Sequence, residues 1–553
     1  MIQPTSPRVL GKLLLAERAI SEAELAAALQ EQRTSRERLG EILIRRGTDP
    51  EHIARALAQQ LRLPYAQPPL RPEASALKVV SRALATRLKA VPLTVQDKVL
   101  RVAVVDPLDL AALDDLGFQT SKRVQPLVAS GPAVQTALGA YDADAVAQLV
   151  QRIPTRSVEV DDDVAALQRA SEAPPIVGLV EHLLQQSVTL GASDVHIEPC
   201  EGVLRVRVRV DGLLTRVAEL PTTAAAAVVS RLKVMGGLDI ASKRVPQDGR
   251  ATVRVQGRTY ALRMSTLPTQ NGEKVVLRIL DPENSATPLE QLGMGDCDLT
   301  RLRLMLESPH GLILVTGPTG SGKTTTLYAA LASLDRERRN LITLEDPVEY
   351  RLPGITQVQV HARAGLGFAT SLRAVLRQDP DVIMVGELRD QETVEVALAA
   401  AATGHLVLST LHTNDAPSTV SRLLNMGAPP YLLASALIGV MAQRLVRRVC
   451  VYCASVRDAT VQERAQLGGI TQLAEAVGCS SCLHGYRGRT GAYEVMVVSA
   501  AQRELIARGA PADELRNSAC AEGMKTLALD ALRLLQSGVT TAQEVRPFLA
   551  GLH

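Results

Sequence analysis

The sequence is poor in aromatic residues. It has no tryptophan and three phenylalanines among 553 residues, and aromatic residues make up only 2% of the chain. Because hydrophobic residues still account for 46%, the cores must be built from leucine, valine, isoleucine and alanine. A chain of this length exceeds what one hydrophobic core normally organises, so we expect three or four domains.

The sequence also lacks long apolar runs and an excess of charge of one sign. The most apolar stretch, Val394 to Leu411, contains Glu395 and His405 and is typical of a buried helix followed by a strand. We therefore expect a cytoplasmic protein that reaches a membrane only through partners. The 61 basic and 58 acidic residues nearly balance, and no stretch combines aromatic with basic residues, which argues against a nucleic-acid partner.

The first part of the chain, residues 1–141, opens with a degenerate repeat of helix pairs. One copy starts at Val9-Leu10-Gly11 and the other at Arg38-Leu39-Gly40. A strand is predicted at Val99 to Val105. Residues 142–173 lack periodicity and carry an acidic triplet, so they are interpreted as a linker.

The rest of the chain alternates helices and strands. A helix from Ile176 to Leu190 is followed by strands such as Leu204 to Val210, which predicts a small α/β domain over 174–285. Residues 286–445 alternate strands and helices as in a mostly parallel sheet. A cysteine-rich subdomain, 446–492, and a C-terminal helical region, 493–553, complete the prediction.

The strongest motif is a phosphate-binding loop, with a buried strand before it and a helix after it. Its glycines let backbone N–H groups face the β- and γ-phosphates of a nucleotide, and the helix N-terminus adds positive potential. Lys323 is predicted to bridge the β- and γ-phosphates of ATP, and the Thr324 hydroxyl to ligate Mg²⁺. A chance glycine-rich turn is the alternative, which the strand–loop–helix context disfavours. The predicted nucleotide-binding residues are Gly317, Pro318, Thr319, Gly320, Ser321, Gly322, Lys323, Thr324 and Thr325.

Two later strands end in carboxylates, at Glu345 and at Glu387. Because ligands of open α/β sheets bind at the carboxyl ends of the strands, both side chains are predicted to converge near Lys323. One carboxylate would orient the attacking water and the other the magnesium shell. The alternative is that both merely cap their strands.

Two histidines, His405 and His412, bracket a third strand, Leu406 to Thr410. They are candidates for sensing the γ-phosphate, and ordinary core or loop histidines are the alternative.

Four of the seven cysteines form two CxxC pairs, Cys450 with Cys453 and Cys479 with Cys482. Each pair can clamp one side of a tetrahedral ion, so the sequence predicts a structural Zn²⁺ site. Four coincidental thiols are the alternative.

Taken together, the motifs resemble the secretion ATPases of the type II secretion and type IV pilus assembly superfamily. The resemblance covers about residues 174 to 550 and is closest to the type II secretion branch, with pilus extension as the alternative. A nucleic-acid translocase and a non-hydrolysing scaffold are the other functions considered; the intact acidic and lysine positions argue against the scaffold. The motifs are Ser193 to Glu198, Arg244 to Arg250, Gly317 to Thr324, Leu344 to Tyr350, Arg377 to Asp381, Gly404 to Ala416 and the four cysteines.

The resemblance implies a homo-hexameric motor at the cytoplasmic face of the inner membrane, with ATP bound between a PAS-like domain and a RecA-like α/β domain. It implies Glu345 as general base, Glu387 in the magnesium shell, and both histidines in a family motif. Charge compensation by arginine is what a loose phosphoryl-transfer transition state requires. The arginines implied to reach the γ-phosphate are Arg263, Arg278, Arg373 and Arg377.

The N-terminal repeat is similar to a tandem helical domain that docks on a bitopic membrane protein or binds cyclic di-GMP. The first copy has Val9 where that motif has arginine and Arg18 where it has glycine; the second keeps Gly47 but is one residue short before Ile53. We therefore do not expect cyclic di-GMP binding. The partners implied are the cytoplasmic domain of a bitopic inner-membrane secretion protein, a polytopic platform protein and an acidic phospholipid surface.

Overall fold

A computed structural model describes residues 7–17, 19–34, 37–46, 48–138, 149–150, 164–255, 257–281, 287–361, 365–479 and 482–549. Four helices lie where the degenerate repeat predicts two helix pairs. They are α1 (Pro7–Ala16), α2 (Glu22–Thr34), α3 (Leu39–Arg45) and α4 (Pro50–Leu61). Arg18 and Gly47, two positions compared with the helical motif, lie outside the described residues.

A small α/β unit follows the helical repeat, with a sheet of strand order β1-β2-β3. The two parts are joined through Glu51 of α4, whose carboxylate accepts hydrogen bonds from the hydroxyls of Tyr65 and Ser130. The predicted strand at Val99 is present as β2. The elements are α5 (Ala74–Val79), α6 (Arg82–Arg87), β1 (Ala90–Gln96), β2 (Val99–Val104), α7 (Leu110–Thr120), β3 (Arg123–Val128) and α8 (Gly131–Leu138).

The end of the predicted linker is a helix, α9 (Val164–Glu172), so the linker prediction is wrong there. Leu167 and Ser171 of this helix are buried, and Ala170 packs against the core of the following domain. Leu167 and Ala170 are three residues apart and form the only such pair of core contacts described in this nine-residue helix. One pair is too few to produce a recognisable helical period in the sequence. Residues 142–148 and 151–163 of the predicted linker lie outside the described residues.

The middle domain is a six-stranded antiparallel sheet of order β6-β5-β4-β9-β8-β7 with helices against one face. Alternation decides the faces: Leu204, Val206 and Val208 of β5 point into the core, whereas the arginines between them lie on the other face. Asp211 and Gly212 both have positive φ and close the β5–β6 hairpin as predicted. The elements are α10 (Pro174–Thr189), β4 (Asp194–Cys200), β5 (Val203–Val210), β6 (Leu213–Pro221), α11 (Ala225–Met235), β7 (Gln247–Val255), β8 (Arg258–Thr269) and β9 (Gly272–Leu280).

The third domain is built on a seven-stranded sheet of order β12-β11-β13-β14-β10-β15-β18. Its first six strands are parallel and β18 is antiparallel to β15. The central strand β10 is buried along its whole length, with apolar clusters on both faces of the sheet. The elements as far as β14 are α12 (Asp296–Leu306), β10 (Gly311–Thr316), α13 (Lys323–Ser333), β11 (Leu341–Glu345), β12 (Thr356–Gln359), α14 (Phe368–Val375), β13 (Val382–Val385), α15 (Gln391–Ala402) and β14 (Leu406–Leu411).

The cysteine-rich region is inserted between the last two strands of this sheet as a two-stranded hairpin with a short helix. The predicted boundaries 445/446 and 492/493 fall inside β15 and β18, because these long strands belong to the core sheet at one end and to the cysteine region at the other. The remaining elements are α16 (Ala416–Asn425), α17 (Pro430–Ala436), β15 (Leu437–Val449), β16 (Ala454–Asp458), α18 (Val461–Gln466), β17 (Gln472–Ala476), β18 (Tyr486–Val497), α19 (Ala500–Ala507), α20 (Ala512–Ala521), α21 (Leu527–Gln536) and α22 (Ala542–Leu549).

Candidate active site

The loop between β10 and α13 has the backbone that phosphate binding requires. Gly317, Gly320 and Gly322 all have positive φ, which L side chains rarely adopt. A Cβ on Gly317 would lie 2.4 Å from the backbone oxygen of Gln443, so no larger residue fits. The hydroxyl of Ser321 is buried and has no hydrogen-bond partner among the described residues. An orphaned donor inside a glycine cradle at a helix N-terminus fits a bound phosphate chain.

Lys323 begins α13, and its side chain lies over the loop. Its Nζ donates to the backbone oxygens of Gly317 at 2.8 Å and Pro318 at 3.1 Å, and lies 3.4 Å from Nδ1 of His412. Burial lowers the pKa of Lys323, and the charge of Glu387 acts in the opposite direction. The partners of the Lys323 ammonium are thus mainly neutral backbone carbonyls. An anionic phosphate forms stronger hydrogen bonds with an ammonium and can replace them. The hydroxyls of Thr324 and Thr325, which follow on the first turn of α13, complete the predicted nucleotide-binding set.

Glu387 reaches the same edge of the sheet, as predicted from the strand ends. One carboxylate oxygen lies 3.7 Å from Nε2 of His412 and the other is ion-paired with Arg389. Arg389 also lies 3.9 Å from Asp346, which follows β11. Lys323, His412, Glu387 and Arg389 thus form a continuous line of contacting side chains beside the loop.

Glu345 ends β11, and its carboxylate is buried with donors on both oxygens. Thr343 Oγ1 lies 2.6 Å and Gln357 Nε2 3.1 Å from Oε1, while the Tyr328 hydroxyl bonds to Oε2. Burial, together with this carboxylate, raises the pKa of Tyr328, so the phenol stays a donor at neutral pH. Among the described residues, no hydrogen bond or ion pair joins Glu345 to Lys323. The side chain is fixed one strand further from the loop than Glu387.

Three of these side chains were missed by the sequence reasoning: Tyr328, Gln357 and Arg389. Tyr328 lies four residues after Thr324, which puts it over the same face of α13, and Arg389 follows Glu387 by two residues. Those two spacings were available signals. Gln357 reaches Glu345 from the edge strand β12, a pairing that no spacing reveals.

His405 does not lie beside the phosphate loop of its own chain, so of the two predicted histidines only His412 is placed in this site. The Nδ1 of His405 contacts the backbone oxygen of Ala400 at 3.0 Å, and its own carbonyl accepts a hydrogen bond from the N–H of Gly311, the first residue of β10. His405 precedes β14 and His412 follows it, so the strand separates them by about 20 Å at its ordinary rise per residue.

The four predicted γ-phosphate arginines have other partners in this chain. Arg263 donates to the backbone oxygen of Val348 at 2.6 Å and pairs with Glu349 at 3.2 Å, joining the middle domain to the segment after β11. The other three pair within their own domains. Arg278 contacts Asp194 at 3.2 Å, Arg373 contacts Glu392 at 2.6 Å and Arg377 donates to the Arg373 carbonyl at 2.9 Å.

A cavity of about 610 Å³ adjoins the phosphate loop. Its lining includes Pro318 to Ser321 of the loop and Gln543, Glu544 and Phe548 of α22. The cavity gives the loop a neighbouring space with both apolar and hydrogen-bonding groups.

The four cysteines converge at one end of the β15–β18 hairpin, with all Sγ atoms within 4.8 Å of one another. Sγ–Sγ distances are 3.8 Å for Cys450 and Cys479, and 3.6 Å for Cys453 and Cys482. Four thiolates around a tetrahedral Zn²⁺ would lie about 3.8 Å apart, given Zn–S bonds of about 2.3 Å. The donor set and its spacing are therefore compatible with zinc.

No helix among the described residues combines the length and the apolar character needed to cross a membrane.

Comparison with known proteins gives a family match over most of the chain. The family "Type II/IV secretion system protein" matches residues 169–547, and "MshEN domain" matches residues 61–148. The second match lies on the small α/β unit, whereas the sequence reasoning placed its docking motif in the helical repeat.

Relatives of both branches align over nearly the whole chain. The type IV pilus assembly ATPase PilB of Myxococcus xanthus is 41% identical, covering 97% of this chain and 98% of that protein. The type II secretion system protein E of Xanthomonas campestris pv. campestris is 38% identical, covering 99% of each. The Legionella pneumophila ATPase DotB shows the same fold, with a TM-score of 0.52 at 22% identity over 67% of this chain and 95% of that one.

Proposed function

From the premise that this chain belongs to the type II/IV secretion system protein family and is an ATPase, we propose that it powers pseudopilus assembly and protein export in a type II secretion system. The observation that carries the proposal is the intact line of Lys323, His412 and Glu387 beside the phosphate loop. Over the ATPase part, the type II secretion system protein HxcR of Pseudomonas aeruginosa is 50% identical, covering 69% of this chain and 79% of that protein.

Pilus extension is the second candidate function. It is favoured by the 41% identity of the Myxococcus xanthus pilus ATPase over 97% of this chain, against 38% for the type II secretion system protein E of Xanthomonas campestris pv. campestris over 99%.

In the proposed mechanism, the loop N–H groups and Lys323 bind the β- and γ-phosphates of ATP. Mg²⁺, when bound, neutralises charge that develops on the phosphate oxygens, and Thr324 would hold it with Glu387 in its outer shell. Glu345 acts as general base for the attacking water, and its three hydrogen bonds fix the direction of its carboxylate. His412 contacts both Lys323 and Glu387 and keeps the two charges in register with the γ-phosphate.

We further propose a hexamer in which arginines of a neighbouring subunit complete the site. Arg278, Arg373 and Arg377 pair away from the phosphate loop of their own chain, which supports a supply in trans. The N-terminal region would dock on the cytoplasmic domain of a bitopic inner-membrane protein, beside a polytopic platform protein and an acidic phospholipid surface. Zn²⁺ bound by the four cysteines would hold the inserted hairpin together. The absence of cyclic di-GMP binding stays a prediction.

Steady-state ATP hydrolysis of the purified chain tests the enzymatic part. Lys323→Ala is expected to abolish hydrolysis, whereas Lys78→Ala, an exposed lysine of α5, is expected to leave it unchanged. Adding the partner's cytoplasmic domain and vesicles containing an acidic phospholipid is expected to raise the lysine-dependent rate. Hydrolysis that survives Lys323→Ala would contradict the assignment of the loop.

Whether the chain serves type II secretion or pilus extension is tested in the host organism. Deletion of the gene is expected to stop protein export while leaving pili intact. Loss of pili with normal export would instead assign the chain to pilus extension.

A further inference from the structure

Two acidic residues follow neighbouring strands at the carboxyl edge of the ATPase sheet. β11 and β13 are neighbouring parallel strands, so Asp346 and Glu387, which follow them, lie side by side. The strands pass so closely that a Cβ on Gly386 would lie 3.1 Å from the backbone oxygen of Leu344. Like charges on neighbouring strand ends repel each other, so a cation that contacts both is stabilising.

Arg389 supplies that cation in this structure. One guanidinium nitrogen is ion-paired with Glu387 and the other lies 3.9 Å from Asp346. A planar guanidinium with several N–H donors can address two carboxylates at once, as an ammonium cannot.

The residues on both sides of Arg389 are anchored, while its ion-paired side chain is largely exposed. The N–H of Leu388 donates to the Thr410 oxygen at 3.1 Å, and the Asp390 side chain caps α15. Between these anchors the Arg389 side chain is 59% exposed, whereas that of Glu387 is only 18% exposed. The guanidinium can therefore swing into solvent without any backbone change.

We propose, on the basis of the proposed ATPase function, that in the nucleotide-free enzyme Arg389 holds the carboxylate of Glu387 in an ion pair and thereby weakens the binding of a divalent metal at the nucleotide site. Arg389 is thus a positioning residue that sets the metal affinity of the site. The guanidinium pairs with Oε1 of Glu387 whereas Oε2 faces His412, so the guanidinium and a metal with Glu387 in its outer shell draw on one carboxylate from two sides. Two cations beside one carboxylate repel each other. Arginine is never deprotonated at physiological pH, so this repulsion is relieved only by movement of the side chain.

The experiment measures metal binding directly. Mn²⁺, which accepts the same oxygen ligands as Mg²⁺, is titrated into the full-length protein with saturating ADP, and free Mn²⁺ is counted by electron paramagnetic resonance. The variants are Arg389→Gln, Arg389→Lys and the control Arg338→Gln. Arg338 is an exposed arginine of the same domain, 3.7 Å from Asp335. ADP binding in EDTA, measured by calorimetry, tests the nucleotide site separately.

Arg389→Gln is expected to tighten Mn²⁺ binding by about 1.4- to fivefold, the range for removing an exposed ion pair, and Arg389→Lys by less. Affinity for ADP in EDTA is expected to change by less than about twofold. Unchanged or weaker Mn²⁺ binding in Arg389→Gln would overturn the proposal, as would an equal change in Arg338→Gln. Failure of the wild type to bind ADP in EDTA would instead contradict the proposed nucleotide site.

Discussion

Replacing Tyr328 by phenylalanine tests whether the buried carboxylate of Glu345 depends on its hydrogen bonds. The substitution removes the phenol oxygen and leaves the ring, which packs edge-on against Tyr350 at a centroid distance of 5.0 Å. Glu345 then keeps the donors Thr343 and Gln357 on Oε1 but loses the donor on Oε2. One oxygen of a buried carboxylate is left without a protein partner.

The structure sets the size of the effect. A hydrogen bond to a charged group contributes about 1.5–3 kcal/mol, so we expect Tyr328→Phe to lower the free energy of unfolding of the ATPase core by about 2 kcal/mol. For a domain of this size that corresponds to a fall in Tm of about 4–8 °C. With the carboxylate misdirected, we expect kcat to fall about tenfold, while ADP affinity changes by less than about twofold.

The pH of the assay follows from the raised pKa of Tyr328. Burial and Glu345 raise this pKa above its ordinary value, so the phenol's contribution to stability is complete below the unfolded pKa of about 10 and is lost as the pH rises through the folded value. At pH 8 the full difference between phenol and phenyl is therefore measured.

Calorimetry identifies the relevant transition as the one that ADP shifts to higher temperature, because a ligand stabilises only the domain that binds it. Tyr431→Phe is the control, since Tyr431 is 73% exposed on α17 and is expected to change neither Tm nor kcat. A Tyr328→Phe protein with unchanged Tm and unchanged kcat would refute the reasoning.

Three further predictions follow from other parts of the chain. Cys450→Ser is expected to remove zinc, measured by atomic absorption, and to open residues 446–492 to proteolysis; full zinc content in that variant would contradict the metal assignment. His412→Gln is expected to lower kcat for ATP hydrolysis and His405→Gln to leave it unchanged, because only His412 lies beside the loop; equal losses would contradict this. Although burial opposes it, hydrogen bonds from Arg207 and Lys274 lower the pKa of Glu198 to about 2, so this carboxylate stabilises the middle domain above pH of about 4.5 and ceases to as the pH falls towards 2. Arg207→Gln is expected to reduce stability at pH 7 and to flatten its decline in that acid range, followed by circular dichroism; an unchanged acid profile would exclude the pair as its cause.

The sequence was sufficient to predict the features that depend on a local motif or on the direction in which each strand runs. The glycine spacing predicted the phosphate loop with its flanking strand and helix, and the rule that parallel strands end at one edge of a sheet predicted that Glu387 would lie near Lys323. The same rule, applied to the residue before β14, places His405 at the opposite edge. Bracketing a strand had been treated as nearness, although it puts the two histidines at opposite ends of that strand.

Features that depend on contacts between distant segments were beyond the sequence. Gln357 reaches Glu345 from the edge strand β12, and nothing in its own surroundings indicates a buried carboxylate partner. The cysteine region could not be bounded from composition, since β15 and β18 continue without interruption from the core sheet into it. The packing of α9 depends on Leu167 and Ala170, a single pair three residues apart, which is too short a pattern to reveal a helix.

The positions of the predicted γ-phosphate arginines bear on whether ATP hydrolysis depends on assembly of the hexamer. Arg263 bonds to the backbone just after the end of β11, so the middle domain already touches the catalytic edge of its own chain. Arg278 and Arg373 are 57% and 50% exposed, and their ion pairs on the surface contribute at most about 1 kcal/mol. Releasing them therefore costs little, whereas stabilising the charge of a γ-phosphate in transfer yields much more. In the hexamer that we propose, a neighbouring subunit would receive these arginines, and turnover is then expected to rise with the concentration of assembled rings.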